Sequence, residues 1–307
     1  MSSTTVLPII VLFYPDVTLL ETLIDSLVTQ ANNICLVDNT PIADSIKERV
    51  MSICRGRGIE AKYIGLNDNK GIAYAQNQGI IYAKDNNYSH VLLLDQDSAL
   101  PNHMIRDLCE AEANLLKNGF SVAAVGPAFR DEKTGRLAPA IQQDSIFVKR
   151  IRVIENSEVA IKCDYIIASG TLIKIAVINE VGMMLDELFI DWVDIEWGER
   201  CRYHGKHVFM IPNVIMKHSI GDDHVSITGR DINLHSDFRN YFIVRNAIHL
   251  QRVSSVRWKL KVSLLFRVPL YVIFYSYHSN KPLYSFRLLS KAIYDGIVGN
   301  MGKGHFK

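Results

Sequence analysis

Long uncharged apolar runs are missing from this 307-residue chain. A spanning helix needs roughly 18 or more such residues, and the nearest candidate, Val268 to Tyr277, falls short. The N-terminus, Met1 to Val11, has no basic segment and no extended apolar core, so no signal peptide is expected. Cysteine is sparse: Cys35, Cys54, Cys109, Cys163 and Cys201, an odd count with no C-x-x-C pair. Reduced, packed thiols in a cytosolic chain are the expectation. There is no internal repeat and no low-complexity segment, which argues against repeat arrays and disordered tracts. Neither charge sign dominates, for the net charge is only +2.

Hydrophobic residues make up 48% of the chain and charged residues 21%, enough apolar material for a sizeable core. The length permits one large α/β domain with extensions, or two modest domains. The charge is unevenly placed. Between Arg252 and Lys307 stand ten Lys/Arg and one acid, Asp295, so the preceding residues are net negative.

The first 130 residues alternate apolar runs with amphipathic stretches. Val6–Phe13, Ile34–Val37, Ala61–Ile64, Val91–Leu94 and Ser121–Val125 read as strands, with helices between them and Pro101 opening the fourth helix. That alternation implies βαβ units and a mostly parallel sheet, whose ligands bind at the carboxyl ends of the strands. Polar clusters follow three of the runs there: Asp38-Asn39, Asn67–Lys70 and Asp95–Asp97. The second half is less regular. Arg130–Ile161 reads as loop or hairpin, Asp164–Thr171 as a strand entering a Ser-Gly turn, His207–Ile211 as a short strand and His218–Arg230 as a flexible loop. From Phe238 onward the spacing is helical.

Four segments carry chemistry. Leu94-Asp95-Gln96-Asp97-Ser98 delivers two carboxylates, at i and i+2, to a sheet edge. Hard oxygen ligands so placed suit Mg²⁺ or Mn²⁺, though a polar turn capping the next helix would give the same string. Asn69-Lys70-Gly71 turns into a helix whose N–H groups could face an anion; small residues packing on a sheet explain it equally well. Asp191, Asp194 and Glu196 lie among bulky apolar residues, where desolvation raises a carboxyl pKa toward that of a general base. On a helix Asp191 and Asp194 would share a face, and an amphipathic helix with its acids in water is the plainer reading. His218 becomes a metal ligand only if the fold carries it to the two aspartates.

Taken together and in this order, these motifs resemble those of family 2 glycosyltransferases, and within them bacterial rhamnosyltransferases of O-antigen and related surface-polysaccharide assembly. The resemblance runs from about Val6 to His249. It rests on Val37-Asp38-Asn39, Asn69-Lys70-Gly71-Ile72-Ala73 with Asn77 and Gly79, Asp95-Gln96-Asp97-Ser98, Ala168-Ser169-Gly170-Thr171, Phe189 to Arg200, and His218. It implies the GT-A fold, a Rossmann-like mostly parallel sheet flanked by helices, over residues 1–235. Residues 1–130 would be the nucleotide-binding half, 131–235 the acceptor and catalytic half, and 236–307 a basic, amphipathic helical region. It further implies that Asp38, Asn69, Gly71, Asn77, Asp95 and Gln96 border the nucleotide, and that Asp95, Asp97 and His218 hold Mg²⁺ or Mn²⁺. Asp194 would be the base of an inverting displacement, with Asp191 its rival and Glu196 near the acceptor. The family's usual acidic pair reads Val193-Asp194 here, one carboxylate fewer.

The implied reaction is transfer of L-rhamnose from dTDP-rhamnose to a saccharide or lipid-linked saccharide. The basic, aromatic tail suits peripheral attachment to the inner face of the cytoplasmic membrane; a solvated helical cap or a homodimer interface are the other readings. Family 2 members using UDP- or GDP-sugars, a nucleotidyltransferase and a non-catalytic scaffold stand as alternatives. The segment Phe13-Tyr14-Pro15-Asp16 lacks the Gly and Lys of a nucleotidyltransferase phosphate loop. No nucleic acid is expected, because the basic residues fall in an apolar helical tail.

Overall fold

The computed structural model describes residues 4–42, 44–131, 134–218, 223–227, 230–234 and 236–306, with side chains undescribed at 44–45 and 218–234. The expected alternation is present as β1 (Val6–Leu12), α1 (Val17–Leu27), β2 (Asn33–Asp38), α2 (Asp44–Gly56), β3 (Glu60–Gly65), α3 (Ile72–Asp85), β4 (His90–Asp95), α4 (Met104–Lys117) and β5 (Val122–Asp131). The apolar runs of β1, β2 and β4 are buried almost throughout, as strands covered on both faces must be. The partly exposed β3 forms one edge of the sheet.

Beyond β5 come the short strands β6 (Ala140–Gln142), β7 (Lys149–Ile151) and β8 (Ile161–Cys163), then β9 (Thr171–Lys174), α5 (Ile175–Val181), α6 (Val193–Tyr203) and β10 (His207–His218). The main sheet has eight strands in the order β3-β2-β1-β4-β9-β5-β10-β8. β9 runs antiparallel to both β4 and β5, and β8 antiparallel to β10; the other pairs are parallel. β6 and β7 form the expected hairpin.

Three local readings change. Asp164–Thr171 is not a strand: it is irregular chain between β8 and β9, reversing at Gly170 with φ +83°. A side chain on Gly170 would meet Pro127 at 2.8 Å, so the reversal is tightly packed. The 218–230 segment holds strand β11 (Asp223–Ile227), paired antiparallel with β12 (Arg230–Leu234). α4 begins at Met104, not at Pro101, because His103 occupies a left-handed conformation with φ +66°.

The chain then folds into α7 (Asp237–His249), α8 (Trp258–His278) and α9 (Pro282–Val298). These helices share a second apolar core, including Tyr241, Phe242, Leu264 and Leu289, which reaches into the first half through Phe189. α8 is 21 residues long and, by length and composition alone, apolar enough to cross a membrane, but 39% of its apolar window is buried against the protein. One stripe of it, Leu260, Leu264, Val268 and Val272, is buried, whereas Phe266, Leu270, Ile273 and Tyr277 are exposed. All five cysteines are free, and four are buried.

Candidate active site

The carboxyl edge of the sheet gathers the polar clusters. Register pairs Leu12 with Asp38 on one side of β1 and Val11 with Asp95 on the other. Two strand spacings put their backbones roughly 10 Å apart. Asp38 is fully buried; its carboxylate accepts from Thr40 N (2.9 Å) and Tyr63 Oη (2.5 Å). Between the aspartates the chain leaves β1 through Phe13 and Tyr14, two exposed aromatics packed edge to face. Gln96 accepts from Phe13 N (2.7 Å) and donates to Phe13 O (3.1 Å), so it pins this loop.

The reversed strand β9 completes the corner. Gly170 N donates to Leu93 O, Ser169 Oγ lies 2.6 Å from Ser98 Oγ, and Asp95 N donates to Ser169 Oγ. The Asp95–Ser98 turn is thereby tied to the Ala168–Thr171 motif, two pieces some 70 residues apart in the chain. Asp97 is exposed, and its carboxylate makes no hydrogen bond or ion pair with the described residues. His218 ends β10 opposite Asp131, but its side chain lies outside the described residues, so its place as a third ligand has no geometry here. Among the described residues no cluster of three or more His, Cys, Asp or Glu forms a cation cage. Two hard carboxylates at one strand end still fit Mg²⁺ or Mn²⁺, ions commonly held by one or two carboxylates with phosphate oxygens and water filling the shell.

The Asn69–Gly71 turn does something other than expected. Asn39 Nδ2 donates to Asn69 Oδ1, and Lys70 N to Asn39 Oδ1, clasping the turn to the end of β2. Gly71 N is taken by Asn69 Oδ1, and Ile72 N by Phe189 O at 2.7 Å. These leading N–H groups of α3 therefore face protein, not an anion. Gly71, with φ +90°, is required because a Cβ there would stand 2.5 Å from Phe189 O. Asn77, expected beside the nucleotide, is buried, and it bonds Met184 O, Met184 N and Asp186. It fastens α3 to the loop ahead of α6.

That loop carries the acidic cluster. Phe189, Asp191 and Trp192 all have positive φ (+67°, +62° and +66°). Such conformations cost about 1–3 kcal/mol each and survive only where surroundings fix them. α7 supplies the fixing. Asn246 Nδ2 reaches the carbonyls of Leu188, Ile190 and Asp191, and the fully buried Arg245 donates to those of Glu187, Leu188 and Gly302. Trp192 Nε1 donates to Ile243 O. The helix α6 begins only at Val193, so Asp191 and Asp194 do not share a helical face. A left-handed turn at Asp191-Trp192 brings them together instead.

Asp191 and Asp194 line a cleft of about 1270 Å³ that also reaches Asp95 and Gln76. Small-molecule pockets are typically ~300–1,000 Å³, so a nucleotide sugar and an acceptor could share it. Burial pushes the Asp194 carboxyl up to about 6, and the charges of Asp191 and Asp95 add to the rise. Those two influences also register how close the three carboxylates lie. Asp191 is raised by burial as well, but Arg239 opposes the shift through a paired contact at 3.0 Å. Of the two rivals for base, Asp194 has no cationic partner among the described residues and Asp191 has one. Glu196 stands apart: it is fully buried, bound twice by Arg200, and outside the cleft. α8 also lines the cleft, through Leu260, Arg267, Tyr271 and Tyr275.

Sequence reading missed Arg239, Arg245, Asn246 and Gln76. Arg245 and Asn246 had a signal: polar residues inside the buried stretch Asn240 to Ala247 of α7, whereas Arg239 lies outside it. Phe13 and Tyr14 were visible only as a segment lacking Gly and Lys.

A mostly parallel sheet with aspartates at its carboxyl edge, one reversed strand beside them and an acidic loop facing them defines a GT-A glycosyltransferase. Fold comparison agrees. GalNAc-T7, solved with UDP, GalNAc and Mn²⁺, matches with a TM-score of 0.58 at 15% identity, covering 92% of this chain and 59% of that longer one. S. aureus TarS 1-349 in complex with UDP-GlcNAc matches with a TM-score of 0.58 at 11% identity, over 96% of this chain and 82% of that one. The chain belongs to glycosyl transferase family 2, whose description, Glycosyl transferase family 2, matches residues 9–182. It is also 32% identical over 304 residues to dTDP-rhamnosyl transferase RfbF of Shigella flexneri, covering 97% of each chain.

Proposed function

We propose that this glycosyltransferase moves L-rhamnose from dTDP-rhamnose to a saccharide or lipid-linked saccharide acceptor in surface-polysaccharide assembly, with inversion at the anomeric carbon. The observation that carries the reading is the cleft that Asp194, raised to about 6, shares with Asp95 and Asp191. The relative of matching length supports the choice of donor.

Asp194 takes the acceptor hydroxyl proton as that oxygen attacks C1 from the face opposite the nucleotide. A carboxylate titrating near 6 is ionised at neutral pH yet basic enough to draw the proton in the transition state. Asp191, tied to Arg239, keeps a negative charge beside it and positions the loop. Asp38 and the Phe13–Tyr14 pair border the base and ribose, and Asn69 and Gly71 hold the turn that frames them. Asp95 and Asp97, with His218 as the further candidate, would hold Mg²⁺ or Mn²⁺. When bound, the cation would neutralise charge building on the departing diphosphate.

Residues 1–235 act as the catalytic unit and 236–307 as its helical support. The exposed stripe Phe266, Leu270, Ile273 and Tyr277, flanked by Lys259, Lys261 and Lys281, supports peripheral attachment to an anionic membrane on the cytoplasmic side. Asp194→Asn should nearly abolish transfer while dTDP binding persists, and EDTA should stop the reaction until Mg²⁺ or Mn²⁺ is returned. Turnover within a few-fold of the parent in that variant removes Asp194 as base, and full activity in EDTA removes the cation. Replacing Phe266 and Leu270 by Ser should reduce flotation with anionic vesicles; equal flotation removes the membrane face.

A further inference from the structure

α3 packs on the sheet through small residues, Ala73, Ala75 and Gly79, and a Cβ on Gly79 would stand 2.4 Å from Ile9. Among them sits Gln76, only 3% exposed, whose Oε1 has no hydrogen-bond partner. An unpaired buried amide destabilises the fold, a cost that an apolar side chain of the same length would avoid. Its neighbour Asn77 shows the contrast, with its amide satisfied on both sides by Met184.

The position of Gln76 explains the expense. It lines the large cleft and also a hollow of about 20 Å³, together with Tyr165, Ala168, Val193 and Asp194. Deeper in, the hollow is walled by apolar groups such as Leu93, Ala124, Ile173 and Met184. Of its polar groups, Thr171 Oγ1 donates to Ile167 O and Trp197 Nε1 to Gly182 O, while Gln76, Tyr165 and Asp194 are shared with the cleft. There is space for about one small group. Gln76 also belongs to the nucleotide-binding half, on the helix that rises from the Asn69–Gly71 turn.

We propose that Gln76 and this hollow form the subsite that reads the donor's sugar ring, the hollow receiving the methyl group that a 6-deoxyhexose carries. The inference rests on the cleft being the site of transfer. A pyranose presents adjacent hydroxyls, and one amide both donates to and accepts from such a pair. A 6-deoxy sugar ends in a methyl group where other hexoses carry a hydroxymethyl. The methyl gains by entering an apolar hollow. A hydroxyl pressed among Leu93, Ala124, Ile173 and Met184 would give up its water against apolar side chains.

The test is calorimetric, in an Asp194→Asn background so that the donor survives. Binding of dTDP, dTDP-rhamnose and dTDP-glucose is compared with and without Gln76→Met. The dTDP affinity should stay within about twofold, dTDP-rhamnose should weaken about tenfold or more, and the melting temperature should not fall. Ala124→Val, which fills the hollow without touching the cleft, should narrow the preference for dTDP-rhamnose over dTDP-glucose about tenfold. Unchanged dTDP-rhamnose affinity in Gln76→Met, an equal loss for dTDP, or a lowered melting temperature would overturn the role of Gln76. An unchanged preference in Ala124→Val would overturn that of the hollow. Failure of the transfer-site reading shows itself separately, as turnover surviving in Asp194→Asn.

Discussion

Replacing Asp194 by Asn should stabilise the protein, and by an amount that depends on pH. The Asp194 carboxyl ordinarily titrates near 3.8, and in the folded chain burial moves it to about 6. Folding therefore binds the proton more tightly than the open chain does. Below pH 3.8 both states are neutral at this position and nothing is lost. Stability then declines as pH rises through the interval to about 6, and above it the full cost of holding the charge is present. A rise of roughly two units at 1.36 kcal/mol each sets that cost at about 3 kcal/mol. Asparagine carries no charge, and its Oδ1 can still accept from Ile195 N as Asp194 does at 2.9 Å. The variant should thus melt several degrees higher than the parent at pH 8, about 2–4 °C for each kcal/mol in a chain of this size. At pH 4 the two should coincide. Thermal denaturation of both proteins from pH 4 to pH 8 measures the gap directly, and titrating groups that do not interact with Asp194 cancel in the difference. A gap that does not change with pH, or a variant less stable at pH 8, would refute the burial argument and the base assignment with it.

The rate of transfer should climb with pH and reach half its plateau near pH 6, since only the ionised carboxylate accepts a proton; a midpoint near 4 would contradict this. Asp191→Asn should move that midpoint down, because it removes a negative neighbour and leaves Arg239 uncompensated; a pH–rate series reads the shift. Gly71→Ala should lower stability by about 2–4 kcal/mol in urea unfolding, combining overpacking against Phe189 O with strain at φ +90°. Asn246→Ala leaves the loop carbonyls of Leu188, Ile190 and Asp191 without their donor, and should cost about 1–3 kcal/mol in the same assay while reducing kcat more than dTDP affinity.

The strands of the first half were legible because continuous apolar runs can be buried on both faces only in a parallel sheet. The polar residues closing those runs were legible as strand ends, but of the aspartates there only Asp97 is exposed to water, while Asp38 is fully buried with Thr40 and Tyr63 on its carboxylate. The reversed β9 was not, because its four residues read alike in either direction, and the partner across the sheet decides the sense. Asp191 was misplaced onto a helix because spacing says nothing of backbone handedness, and the left-handed pair Asp191-Trp192 exists only through its clamp by α7. Gly71 was open to two readings, an anion-facing helix start or small-residue packing, and the contact that demands glycine, Phe189, lies 118 residues on in the chain. Gln76 left no trace, because an amide inside an amphipathic pattern looks the same whether or not it finds a partner.

The clamp on the Phe189–Trp192 loop has a consequence for how the enzyme comes into being. Arg245 is held by Gly302 O, Gly302 N donates to Glu187 O, and Lys303 Nζ reaches Asp68 at 2.7 Å. Residues beyond 300 thus brace both the acidic loop and the turn after β3. On the ribosome the nucleotide-binding half emerges first and can collapse early. The carboxylates of the loop cannot be aligned until α7, α8 and α9 have been made and docked. Newly synthesised chains should therefore acquire a grip on nucleotide before they acquire the ability to transfer sugar.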